Sequence, residues 1–185
     1  MTTAIHHRTK PWRIVGWGLL TALLAVPAVA MRFTSDVNWS SLDFVAAGVM
    51  LGGLGLGFEL VARTGSNLWS RCGMAIAIVA AFLLIWINLA VGIIGAEAND
   101  ANLMFAGVLA VAVATTWHAR LRPAGMAKAM VATAIAHMLV AAVALVGGLG
   151  ADGPGWPYDV IGTTVMFDAL WLLAAAAFRR AARIA

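Results

Sequence analysis

Six apolar stretches separated by short polar ones make up this chain, at about 14–31, 43–62, 72–96, 102–117, 124–150 and 158–178. A bilayer core about 30 Å thick takes roughly 20 helical residues to cross at 1.5 Å per residue. Each stretch is therefore read as one crossing. The expected fold is an all-α, polytopic six-helix transmembrane bundle, forming a single transmembrane domain over residues 1–185.

The polar punctuation between the spans gives an orientation. Eleven of the twelve Lys and Arg residues fall at span ends that face the cytoplasm when both termini are inside, and only Arg32 falls on the other side. Such a bias sets the topology of multi-pass proteins, so an N-in and C-in arrangement is expected. Of the eight carboxylates, Asp36, Asp43, Glu97, Asp100, Asp152 and Asp159 lie outside in this arrangement, which leaves Glu59 near the inner edge and Asp168 in mid-span. Pro154, Gly155 and Pro157 mark the last outer turn, with Trp156 and Tyr158 as interface anchors.

The first stretch has two readings. His6, His7, Arg8, Lys10 and Arg13 precede an apolar run that contains Pro27 and ends in Ala28-Val29-Ala30, the pattern of a cleaved signal peptide. The charge distribution further along fits better when the run is kept as a span, so a retained helix is expected.

Composition excludes a soluble domain. The chain is 63% hydrophobic and only 11% charged, with a mean hydropathy of +0.93, against about half apolar and a quarter charged in soluble proteins. A net charge of +4 does not point to nucleic acid, because the basic residues punctuate apolar spans instead of gathering on a water-facing surface. One cysteine, Cys72, leaves neither an intramolecular disulfide nor a CxxC motif.

Glycine spacing suggests where helices approach closely. The second span carries GxxxG spacings at Gly48/Gly52 and Gly53/Gly57, and Gly92 with Gly95 offers a second small-residue face in the third. The string from Gly53 to Gly57 resembles a phosphate loop only superficially, since no strand precedes it. A twenty-residue separation recurs between Asp43 and Arg63, Asn102 and Arg122, and Asp159 and Arg179. Membrane thickness alone imposes that spacing, and the odd-numbered spans align poorly, so no internal repeat is inferred.

Polar residues inside the spans are the candidates for chemistry. His137 and Asp168 each sit halfway along a span, at matching depth on consecutive helices. An ionised carboxylate at mid-bilayer costs about 2.5–3.5 kcal/mol on insertion scales, so Asp168 should face protein and seek a partner. Thr133 and Thr164 each precede a member of the pair by four residues and share its helix face, which would extend a polar strip across much of the membrane. Asn88 is expected to act as interhelical hydrogen-bond glue. Glu59 is expected to pair with Arg63 one turn away, and His118 to sit at the headgroup edge.

No nucleophile and base pattern, zinc spacing or matched haem ligand pair is present; His118 and His137 differ by nearly half the membrane in depth. Met138 and Met166 near the pair read as packing. Neither a metal, a cofactor nor an enzymatic activity is expected.

Three stretches carry a family resemblance: Asp36-Val37-Asn38-Trp39 through Asp43-Phe44, then Phe58 to Arg63, then Trp86 to Gly95. They resemble small uncharacterised bacterial inner-membrane proteins, over about the first 100 residues. That resemblance implies a multi-pass protein of the bacterial inner membrane and adds no chemistry. Two functions stay open at this point. One is an accessory or assembly subunit that docks a homo-oligomer or larger membrane complex through its glycine faces. The other is a small proton- or cation-coupled transporter or channel that uses His137 and Asp168.

Overall fold

A computed structural model of the chain describes residues 11–184 and is all-α, with no strand among the described residues. Its helices are α1 (Pro11–Ala30), α2 (Ser41–Thr64), α3 (Leu68–Ala90), α4 (Met104–Ala119), α5 (Pro123–Gly147) and α6 (Tyr158–Arg183). A short 3-10 turn over Asp100–Leu103 leads into α4. Six segments are long and apolar enough to cross a membrane, which makes this a multi-pass membrane protein. By its contacts the chain divides into two compact units, one reaching Glu59 and one beginning at Leu60.

Local chemistry explains where the helices begin. Ser40 and Asp43 form a reciprocal cap: the Asp43 carboxylate accepts from the Ser40 backbone N–H at 2.7 Å, and the Ser40 hydroxyl accepts from the Asp43 N–H. Asn67 caps α3 by accepting from the Ser70 N–H at 2.9 Å, while its amide donates to the carbonyl of Ala181. That one side chain both starts α3 and ties it to the end of α6. Pro123 opens α5 at a position where a missing N–H is harmless, and Gly148, with φ +61°, closes it.

In the first unit, α1 and α2 run antiparallel. Arg13 near the start of α1 pairs with Glu59, and Leu24 reaches Gly48. The close approach falls at Gly55, where an added Cβ would lie 2.9 Å from both Leu20 Cδ1 and the Trp17 ring. Gly52 and Gly53 have no atom within 4 Å of their Cβ positions and Gly48 meets Leu24 at 3.8 Å, so the tight contact of α1 with α2 described here falls at Gly55. GxxxG spacing nominates a face, and the residue whose Cβ position another helix occupies is decided by the crossing point.

In the second unit, α6 packs against α3 on one side and α5 on the other, and α4 packs on the far side of α5. Large and small residues alternate across these contacts. Phe167, Trp171 and Phe178 of α6 belong to one buried apolar core together with Ala80 and Leu84 of α3 and Ala141 and Ala144 of α5. Gly73 lets the Phe178 ring approach within 3.1 Å of where its Cβ would be.

The end of the third span corrects the expected boundary. The helix stops at Ala90, not near residue 96, and Gly92 and Gly95 lie beyond it with φ of +74° and +71°. They are turn residues, not members of a helix face. The reason is Asn102, whose side-chain oxygen accepts from the N–H groups of Ile93 and Ile94 at 2.9 Å each, while its amide donates to Ala96 at 2.8 Å. A loop whose backbone is satisfied in this way can be buried, and Ile93 and Ile94 are. Gly95 still supports a close approach, but to a loop: its Cβ would lie 3.1 Å from Gly150 Cα.

Candidate functional site

His137 and Asp168 meet. A short connection makes α5 and α6 antiparallel neighbours, and the two side chains fall at the same height. His137 Nδ1 lies 3.1 Å from Asp168 Oδ1. The histidine is fully buried, between Phe105 of α4 at a ring-centroid distance of 5.4 Å and Phe167 of α6 at 5.5 Å. Asp168 keeps 13% of its side chain exposed.

His137 Nε2 is buried without a hydrogen-bond partner among the described residues. The consequences follow from counting protons. A pair that holds one shared acidic proton is net neutral, the form that low-dielectric surroundings tolerate most readily. If the carboxylate is ionised and the imidazole doubly protonated, Nε2 carries a proton. If the carboxyl donates to Nδ1, the neutral imidazole must carry its proton on Nε2. In these two neutral forms an N–H points among aromatic rings, whereas an Nδ1–H tautomer donating to the carboxyl group leaves a lone pair there.

The two threonines do not extend this contact into a hydrogen-bonded strip. Thr133 is fully buried and its hydroxyl donates to the carbonyl of Ala129 at 2.9 Å. Thr164 donates to Val160 at 2.6 Å. In apolar surroundings the nearest acceptor for such a hydroxyl is the carbonyl one turn back, and both residues take it. Each keeps lone pairs but offers no proton to the pair.

The other candidates lie apart. Asn88 donates to Leu84 of its own helix at 2.8 Å, with its side-chain oxygen buried and unpartnered, so it bridges no second helix among the described residues. Glu59 pairs with Arg13, a partner 46 residues away that sequence proximity could not suggest. His118 is exposed in the last turn of α4. Asn102 and Gly73 are the residues that sequence reasoning missed. An asparagine after an acidic loop carries no local sign that it will cap a segment eight or nine residues earlier.

Among the described residues no group of three or more His, Cys, Asp or Glu side chains is placed to hold a metal ion. No protein-family model, curated protein or solved structure matches the chain. Any reading of function therefore rests on the geometry above.

Proposed function

We propose that this protein is a small accessory or assembly subunit of a larger membrane complex or homo-oligomer, in the bacterial inner membrane, with both termini cytoplasmic. The observation that carries this reading is the face of α2 at Gly52 and Gly53. Neither glycine has an atom within 4 Å of its Cβ position, although the spacing is one that helices use to approach closely in lipid. Val45, Val49 and Leu56 add exposed apolar side chains to the same helix. On this reading the His137 and Asp168 contact fixes the register of α5 on α6, a use for which buried polar pairs are well attested.

Site-directed cross-linking tests it. In a Cys72→Ser background, Gly52→Cys should yield a product heavier than the 19.3 kDa chain in native membranes. Val113→Cys on α4, also exposed, should not. Equal cross-linking at both positions, or none at Gly52→Cys, would sink the proposal.

The exposed edge of Asp168 favours a second reading, a proton- or cation-coupled transporter using the pair. Asp168→Asn keeps the shape and cannot carry a proton. A transporter loses flux in reconstituted vesicles on this change while staying folded; an accessory subunit has none before or after.

A further inference from the structure

The second unit contains a cleft of about 740 Å³, bounded by α3 and α4 and floored by α5 and α6. It exists because α3 packs on α6 and α4 on α5, which leaves α3 and α4 apart, and because the residues facing the gap include Ala77, Ala81 and Ala112. Met74, Met130 and Trp171 complete an apolar interior. The size is within the roughly 300–1,000 Å³ of small-molecule sites. The cleft opens sideways, past Val113 and Trp117, which are exposed.

Its polar groups are donors at one end. Arg120, at the end of α4, is exposed, makes no side-chain hydrogen bond or ion pair among the described residues, and lines the cleft. One turn earlier, Thr116 also lines it. The helical threonines Thr21, Thr64, Thr115, Thr133, Thr163 and Thr164 all donate to the carbonyl one turn back. Thr116 is the exception among the described helices, and its hydroxyl has no hydrogen-bond partner among the described residues. No carboxylate or amide side chain lines the cleft, so a cation finds no counter-charge there. This end also carries Arg71 in the first turn of α3, Lys128 in the second turn of α5 and Arg179 near the end of α6.

We propose that the cleft binds one anionic phospholipid drawn sideways from the bilayer. Its acyl chain lies against Met74, Ala77, Ala81 and Met130, and its phosphate accepts from the Arg120 guanidinium and the Thr116 hydroxyl. The wall from Ala112 to Arg120 is roughly 12 Å long at 1.5 Å per residue, which matches the upper part of a chain hanging from a headgroup. Charge-assisted hydrogen bonds at the mouth give selectivity for the anion, and the alanine walls give the chain its space. Trp117 beside Arg120 is an aromatic residue suited to the headgroup level.

The test uses the full chain in detergent, titrated with phosphatidylglycerol or phosphatidylcholine of identical acyl chains and read by native mass spectrometry. One phosphatidylglycerol should bind, about tenfold more tightly than phosphatidylcholine, whose phosphate is offset by its own choline cation and so interacts more weakly with Arg120. Arg120→Gln, at an exposed position that leaves the core untouched, should abolish that preference; Thr116→Val should reduce it. Ala112→Phe, which fills the gap, should weaken binding of both lipids. Equal binding of the two lipids by the unmodified chain, or a preference that survives Arg120→Gln, would overturn the proposal, as would unchanged binding in a folded Ala112→Phe variant.

Discussion

The imidazole of His137 and the carboxylate of Asp168, 31 positions apart in sequence, meet at 3.1 Å between α5 and α6. Their separate replacement should reveal that contact. His137→Ala removes a ring packed between Phe105 and Phe167 and should cost about 2–4 kcal/mol, mostly from the cavity left behind. Asp168→Ala removes a smaller, partly exposed group and should cost less. The double variant should be more stable than the sum predicts by about 0.6–1.7 kcal/mol, the range of interhelical hydrogen bonds within a bilayer. Denaturation in mixed micelles measures the cycle, and strict additivity would mean that the contact contributes nothing.

Orientation is a prediction of its own, because helix packing alone does not say which end faces the cytoplasm. The basic residues at the ends of α2, α4 and α6 place Arg63, Arg122 and Arg183 inside on the charge rule. Reporter fusions after these three residues should read cytoplasmic, and fusions near Asp100 and Asp152 periplasmic. A periplasmic reading at Arg122 would reverse the assignment.

The six spans were legible in the sequence because crossing a bilayer needs length and apolarity, and both are visible one residue at a time. The His137 and Asp168 contact was legible for a related reason. Consecutive spans joined by a short turn are neighbours, and residues counted from the same edge share a height. What stayed hidden depends on rotation about a helix axis or on alternatives open to a polar group. Gly55, not Gly52 or Gly53, meets α1, which only the crossing point decides. Asn88, Thr133 and Thr164 could each have bridged helices, yet all three turn back to their own backbone carbonyls. The third apolar stretch outruns its helix because Val91, Ile93 and Ile94 are as apolar as a helix interior, although Asn102 holds Ile93 and Ile94 in a loop.

The contact at Gly55 leads to a contrast between neighbouring glycines. Gly55→Leu should separate α1 from α2, since even a Cβ would lie 2.9 Å from Leu20 and Trp17. The expected cost is about 1–3 kcal/mol, as for other over-packed sites. Gly52→Leu has free space within the chain and should leave the detergent-solubilised monomer at its original melting temperature. Thermal unfolding of the two variants, side by side, separates contacts inside the chain from contacts with partners. A larger loss at Gly52 than at Gly55 in the monomer would contradict the arrangement of α1 and α2.

Asn102 is where one side chain should matter most for its size. It is buried, its oxygen holds two backbone N–H groups, and its nitrogen holds the carbonyls of Ile94 and Ala96. Asn102→Ala would leave these groups unpaired beneath Ile93 and Ile94, and each buried group so orphaned costs about 1–3 kcal/mol unless water enters. The loop should therefore open. Asn102→Asp separates the two halves of the role: it keeps the acceptor for Ile93 and Ile94, but an ionised carboxylate cannot donate to Ala96. Hydrogen exchange should show the amides of Ile93 and Ile94 losing protection in Asn102→Ala and keeping more of it in Asn102→Asp. Since the same loop packs Gly95 against Gly150, protection near Gly150 should fall together with it in Asn102→Ala. If the amides at 93 and 94 exchange no faster in that variant than in the unmodified chain, Asn102 does not hold the loop.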